Sequence, residues 1–150
     1  MSNFVINTTD NVALVTMNSV RNNSAALAEI FEALKAINVD MICQTAPYKD
    51  KINLSFTIDE GDLARTLTAV GSLKEKVEAA TEVNTGNSKV TVFSERLKTE
   101  SGVAAKLFDA LSQNGLQIRL ITTSDVEISL LVDSLHADRI AKVLSGRLNT

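Results

Sequence analysis

The chain has 150 residues, 45% of them apolar, which is long enough for one domain or two small ones around a real core. Its formal charge of −3, with no basic run, argues against a nucleic-acid partner, because phosphate binding needs clustered Lys and Arg. No apolar run approaches membrane-spanning length, no signal-peptide pattern opens the chain, and the single cysteine, Cys43, excludes an internal disulfide and suits a reducing cytoplasm.

Phe4-Val5-Ile6 is a short apolar run, and Thr8 to Asn11 reads as a turn. Val12 to Met17, rich in β-branched residues, predicts a strand. Asn18 to Ser24 reads as a polar loop ending in a helix N-cap at Asn23 or Ser24. From Ala25 the spacing turns helical, with Leu27, Ile30, Phe31, Leu34 and Ile37 on one face. Asn38 to Ala46 predicts a strand and Pro47 to Lys51 a turn. Ile52, Leu54, Phe56 and Ile58 then alternate with polar residues, the pattern of a half-buried strand. Asp59-Glu60-Gly61-Asp62 breaks that strand and caps a helix expected to turn Leu63, Leu67, Val70 and Leu73 inward. A short closing strand is expected near Glu82–Asn84, and Thr85 to Ser88 reads as a boundary.

The second half restarts the plan. Val90–Phe93 predicts a strand and Ser94–Ser101 a polar loop. Gly102 opens a helix with Val103, Ala104, Leu107, Phe108 and Leu111 on its inner face, and Asn114-Gly115 stops it. Leu116, Ile118 and Leu120 alternate as one strand, and Val126, Ile128, Leu130 and Val132 as the next. Between them Thr122 to Asp125 forms a hairpin tip rich in hydrogen-bonding groups. Asp133 or Ser134 caps a last helix bearing Ile140, Val143 and Leu144, and the remaining residues are short and polar. Phe31-Glu-Ala-Leu34 and Phe108-Asp-Ala-Leu111 lie 77 residues apart, and Ile37-Asn-Val39 and Leu116-Gln-Ile118 lie 79 apart, so the chain contains an internal duplication. Duplicated βαββα units predict an α+β fold with helices on one face of an antiparallel sheet. The second copy lacks a fourth strand and the first has a spare one ahead of it. The N-terminal strand is therefore expected to complete the second unit. The boundaries expected are 11–86 for the first unit and 87–150, with strand 3–9 added, for the second.

The stretch Lys98-Thr-Glu-Ser-Gly102-Val-Ala-Ala-Lys-Leu-Phe108, with Ile121-Thr-Thr-Ser-Asp-Val-Glu-Ile-Ser129, resembles the tandem ACT regulatory region of aspartokinases. There the wording is a loop ending Pro-Gly-Val-Ala, followed by Ile-Ser-Thr-Ser-Glu-Ile-Lys-Ile-Ser. Ile37-Asn-Val-Asp-Met-Ile-Cys-Gln44 and Ser55-Phe-Thr57 resemble the first ACT unit of that family. The resemblance implies ferredoxin-like βαββαβ units, and a regulatory module, subunit or excised fragment, since the chain has no room for the large amino-acid-kinase domain. It also implies an amino-acid effector held between one unit's strand–helix loop and the other unit's second strand. One pocket would use Arg21 to Ala26, with Asn22, Asn23, Ser24 and Ala25 at the loop, together with Gln117, Ile118, Thr123, Ser124 and Asp125. The other would use Thr99 to Val103, with Ser101, Gly102 and Val103, together with Asn38, Val39, Asp40 and Gln44. Where the family's first loop reads Asp-Lys-Pro-Gly, this chain has Asn22 to Ala25. The carboxylate that would face a lysine ammonium is absent there and Arg21 adds positive charge, so threonine is favoured over lysine. Gly102 keeps the glycine that lets backbone amides approach a carboxylate, whereas Ala25 does not, and the Gly102 pocket is expected to be the tighter.

Single residues suggest no catalytic chemistry. Cys43 reads as a small apolar strand residue without a cation beside it, and His136 as an exposed residue at the start of the last helix. Too few His and Cys are present for a metal site, and Gly102-Val-Ala-Ala-Lys106 lacks the second glycine and the ending of a phosphate loop. No cofactor is expected. The leading expectation is a non-catalytic amino-acid sensor that acts allosterically, assembles as a homodimer and partners a kinase catalytic subunit. The alternative is a structural or dimerisation module that has lost its effector. An enzyme ranks well behind both.

Overall fold

The structure, a computed structural model, describes residues 3–73 and 77–150. It divides into two compact units, Asn11–Thr85 and a second formed by Met1–Asp10 with Gly86–Thr150. Two long strands, β1 (Val5–Arg21) and β4 (Ala80–Phe93), each contribute one end to each unit.

The N-terminal unit runs from the later part of β1 through α1 (Ser24–Ala33), β2 (Asp40–Gln44), β3 (Lys51–Asp59), a 3-10 turn at Glu60–Asp62 and α2 (Leu63–Gly71) to the start of β4. Its antiparallel strands are ordered β2-β3-β1. The expected alternation of β3 holds: Ile52, Leu54, Phe56 and Ile58 are all buried, packed with Ala13, Val15 and Met17 of β1, Ile30 of α1 and Val70 of α2. One continuous cluster of this kind places both helices on one sheet face. The β2–β3 hairpin closes through a two-residue turn, Lys49-Asp50, with both residues at positive φ and Tyr48 and Lys51 exchanging backbone hydrogen bonds of 2.9 and 3.0 Å. That pairing of left-handed residues matches the strand twist.

The C-terminal unit takes the start of β1, the later part of β4, a 3-10 turn at Glu95–Lys98, α3 (Val103–Gln113), β5 (Leu120–Thr123), β6 (Glu127–Asp133), a 3-10 turn at Ser134–His136 and α4 (Ala137–Leu148). Its strands are ordered β1-β4-β6-β5, so the N-terminal strand fills the edge that the second copy lacks. Phe4, Val90, Val92, Ile128, Leu130 and Val132 join Leu107 and Leu111 of α3 and Ile140, Leu144 and Leu148 of α4 in one core. A Schellman motif ends α3: Leu116 N–H donates to the Leu111 carbonyl at 2.9 Å and Gly115 N–H to that of Ser112 at 3.2 Å. Gly115 sits at φ +64, as such a stop requires.

Several expected details change. Thr8–Asn11 is not a turn but lies inside β1, and the boundary at Thr85–Ser88 falls inside β4; Asn11 (φ 60) and Gly86 (φ 76) take left-handed conformations without ending either strand. The loop expected over Asn18–Ser24 is mostly strand, with a bulge between Met17 and Val20 and Ser19 at φ 62, so that Val20 rather than Ser19 turns to the core. In α2 Leu67 is 40% exposed and Thr66 is buried along with Val70, the Thr66 hydroxyl donating to the Asp62 carbonyl at 2.8 Å. In α3 Ala104 and Phe108 face solvent and Ala110 faces the core. The 77-residue repeat therefore pairs Phe108 with a residue of different role: Phe31 packs against Phe56, ring centroids 6.4 Å apart. Leu116–Arg119 precede the ladder rather than forming a strand, and the last helix reaches Leu148 instead of ending in a polar tail.

Candidate functional site

The sequence-predicted site residues fall into the two units. In the N-terminal unit, Arg21 ends β1 and Asn22 follows, its N–H donating to the Asp50 carbonyl at 2.9 Å. Asn23, extended at φ −149, caps α1: its Oδ1 accepts from the Ala26 N–H at 2.7 Å. One of the first-turn amides that a ligand carboxylate would use is thus already occupied by the chain's own side chain. Ser24 and Ala25 are exposed in the first turn. Asn38 and Val39 precede β2, Asp40 opens it and Gln44 closes it; Asn38, Asp40 and Gln44 are exposed, while Val39 packs on the core. Met41 takes φ 47 in a bulge between Asp40 and Cys43, which re-aims the start of this edge strand. Replacing Asn23 by Ala is expected to lower stability by about 1 kcal/mol, measurable as a lower urea midpoint.

In the C-terminal unit the corresponding helix start is built differently. Gly102 is the residue before α3, at φ +81, and no side chain caps the helix. A Cβ there would meet nothing within 4 Å, so the conformation rather than crowding demands glycine. The first-turn amides of α3 accordingly have no side-chain competitor, unlike that of Ala26. Thr123 is the last residue of β5, which places it and Thr122 in the strand rather than in the tip expected from the sequence. The tip itself is Ser124-Asp125-Val126, closed by the Ser124 N–H donating to the Glu127 carbonyl at 2.8 Å. Ser94 N–H donates to the Val126 carbonyl at 2.9 Å, tying the tip to the segment that leads from β4 towards Gly102. Gln117 and Ile118 line a hollow of about 540 Å³ with Phe108, Leu111, Ser112, Gly115 and Leu116.

Sequence reasoning passed over Arg96 and Glu100. Arg96 donates through Nε and Nη2 to both carboxylate oxygens of Glu100, at 2.7 and 3.0 Å, four residues on, and its guanidinium lies 4.5 Å from the centroid of the Phe4 ring. The i, i+4 spacing of Arg96 and Glu100 is legible, but the Phe4 contact, 92 residues away in sequence, is not. The Glu100 carboxyl lies below its ordinary value of 4.5, chiefly because Arg96 donates to it; partial burial opposes this, and the charges of Arg96 and Lys106 add to it. A depressed carboxylate pKa contributes stability that is present above the ordinary value and lost as the pH falls through the folded one. Backbone exchange of residues 96–101, corrected for intrinsic rate, should therefore stay level from neutral pH to about 5 and accelerate only in stronger acid.

Cys43 is half-buried and His136 exposed. Among the described residues no group of three His, Cys, Asp or Glu is arranged to hold a metal ion, and no helix is long and apolar enough to cross a membrane.

The ACT domain family model matches residues 15–72 and again 90–148. The chain is 34% identical over 127 residues to an aspartokinase of Bacillus sp. (strain MGA3), covering 83% of this chain and 31% of that protein. It is 34% identical over 136 residues to an aspartokinase of Helicobacter pylori (strain ATCC 700392 / 26695), covering 89% and 33%. It thus spans about a third of the length of these relatives. The ligand-free regulatory subunit of aspartate kinase from Thermus thermophilus superposes with a TM-score of 0.86 at 23% identity, over 95% of each chain. A solved structure of aspartokinase alpha and beta subunits gives 0.88 at 27% identity, over 99% of this chain and 100% of that one.

Proposed function

The chain belongs to the ACT domain family, in the form that makes up the regulatory region of aspartokinases, and from that premise we propose that it is a non-catalytic sensor binding a small amino acid for allosteric control. The observation that carries the reading is the Ser101-Gly102-Val103 corner. There a left-handed glycine opens a helix that no side chain caps. Free first-turn amides favour a ligand carboxylate. The Asn22–Ala25 corner is the weaker of the two, because Asn23 occupies the Ala26 amide and Ala25 adds a Cβ. Arg21 beside it disfavours lysine, which leaves a small polar amino acid such as threonine as the effector. The site forms part of a homodimer that works with an aspartate kinase catalytic partner, in keeping with the described alpha and beta subunits of the related aspartokinase.

A thermal-shift screen of the common L-amino acids tests this. Binding to the native state alone adds about 2.7 kcal/mol at a hundredfold excess over Kd, and threonine should give the largest shift. Calorimetry on Gly102→Asn then locates the site. Asn tolerates positive φ, so the variant folds, but its side chain obstructs the amides and affinity should fall at least tenfold, about 1.4 kcal/mol. Unchanged affinity in that variant rejects the corner as the site. No shift with any amino acid favours the second reading, an effector-free dimerisation module, to which the self-capped α1 lends support. Sedimentation showing only monomer at micromolar concentration, with and without amino acids, defeats the homodimer.

A further inference from the structure

The N-terminal strand is held in the C-terminal unit by two unrelated devices. The side-chain amide of Asn149, just past α4, brackets the backbone of Phe4: its Oδ1 accepts from the Phe4 N–H at 2.8 Å and its Nδ2 donates to the Phe4 carbonyl at 3.0 Å. On the other side the Phe4 ring, 3% exposed, lies under the Arg96 guanidinium at 4.5 Å. Only the second device reaches the segment that ends in Gly102. Arg96 is anchored from behind, where its N–H donates to the Ser94 hydroxyl oxygen at 3.1 Å, and Leu97 beside it packs on the same core as Phe4. Ahead, its guanidinium grips both oxygens of Glu100, and the Glu100 N–H donates to the Arg96 carbonyl at 2.8 Å. Glu100 is two residues from Gly102. The Arg96 side chain is 19% exposed and that of Glu100 30%, and the stacking and the ion pair both depend on one guanidinium pose.

We propose that Arg96 is a positioning residue that couples docking of the N-terminal strand to the order of the Glu100–Val103 corner, so that the strand controls effector affinity. With Phe4 in place, the planar guanidinium has a surface to lie on and presents its fork to Glu100. With Phe4 withdrawn, the guanidinium loses that surface, and the Glu100–Val103 backbone loses the restraint that pre-orders the α3 amides. Coupling is reciprocal, so an effector that orders the corner also tightens the strand. This step rests on the reading of the Gly102 corner as the effector site, but its first test needs no effector.

Hydrogen exchange on the full chain separates the links. Asn149→Ala loosens the strand from the far side without touching residues 94–103. Exchange at Val5–Asn7 should accelerate roughly five- to tenfold, and exchange at Glu100–Val103 should follow it by at least about threefold. In an Arg96→Leu background, which keeps an apolar cover over Phe4, the same Asn149→Ala change should still loosen the strand but no longer move the corner. Phe4→Leu, which keeps the core filled and removes the π face, supplies the same comparison if Asn149→Ala unfolds the unit, with β3 amides of the N-terminal unit as the internal control. Unaltered corner exchange in Asn149→Ala, or an undiminished response with Leu at position 96, overturns the coupling. In the second arm L-threonine is added to the wild-type chain. Protection gained at both the corner and Val5–Asn7 supports strand control. Protection at the corner alone overturns it. Protection at neither, with the ligand-free coupling intact, rejects the effector assignment and leaves the coupling standing.

Discussion

Deleting residues 3–9 is expected to cost the C-terminal unit on the order of 5 kcal/mol, comparable to the entire stability of a small domain. Phe4 is buried to 3% exposure in the core that contains Leu107, Leu130 and Ile140, and loss of a buried Phe side chain alone costs about 3–5 kcal/mol. Ile6, partly buried against the same core, adds about 1 kcal/mol. The deletion also strips Asn149 of both its Phe4 hydrogen bonds and turns β4 into an open edge in this unit, with its ladder groups unpaired. Exchange of β6 amides should approach the rate of an unfolded segment while β3 amides of the N-terminal unit keep most of their protection. A shortened chain with wild-type protection in β6 would mean that the strand is an accessory rather than a structural part of the unit.

The second large effect is Phe56→Ala. Phe56 is fully buried at the middle of β3, opposite Val15 of β1, with Phe31 of α1 tilted against its ring. Truncation removes the transfer free energy of the ring, leaves a cavity among Ile30, Leu54 and Val15, and loses the aromatic pair. Together these are worth about 3–5 kcal/mol, with about 1 kcal/mol of that from the ring–ring geometry. The urea midpoint should fall with the slope unchanged. Phe108→Ala is the informative companion. The duplication aligns Phe108 with Phe31, yet Phe108 is 42% exposed, and its truncation should cost less than about 1 kcal/mol. Equal costs at positions 56 and 108 would contradict the burial seen here.

The candidate site was partly legible. Gly102 stands out in the sequence as a glycine opening an apolar helical pattern, but its left-handed conformation follows only from the structure. Asn23 and Ser24 both read as N-cap candidates, and only the geometry shows that Asn23 caps α1 and occupies the Ala26 amide. Arg96 was passed over because its importance comes from Phe4, and no local pattern connects them.

What the sequence by itself determined is the duplicated unit, its helix–strand order and most of its core, because amphipathic periodicity is a local consequence of burying one face. The alternation Ile52, Leu54, Phe56, Ile58 and the stop at Asn114-Gly115 needed nothing beyond neighbouring residues. The place of the N-terminal strand in the second unit was also legible, because the first copy carries a spare strand ahead of it. Only the tertiary structure decided what happens where the strands pass between units. Thr8–Asn11 and Thr85–Ser88 carry the composition of turns, yet β1 and β4 run straight through both. The physical reason is that Asn11 and Gly86 can enter the left-handed region cheaply, and whether such a residue ends a strand or merely kinks it depends on whether partner strands flank it on both sides of the kink. That is a property of distant chain segments meeting, as are the exposure of Phe108 and the stacking of Arg96 on Phe4.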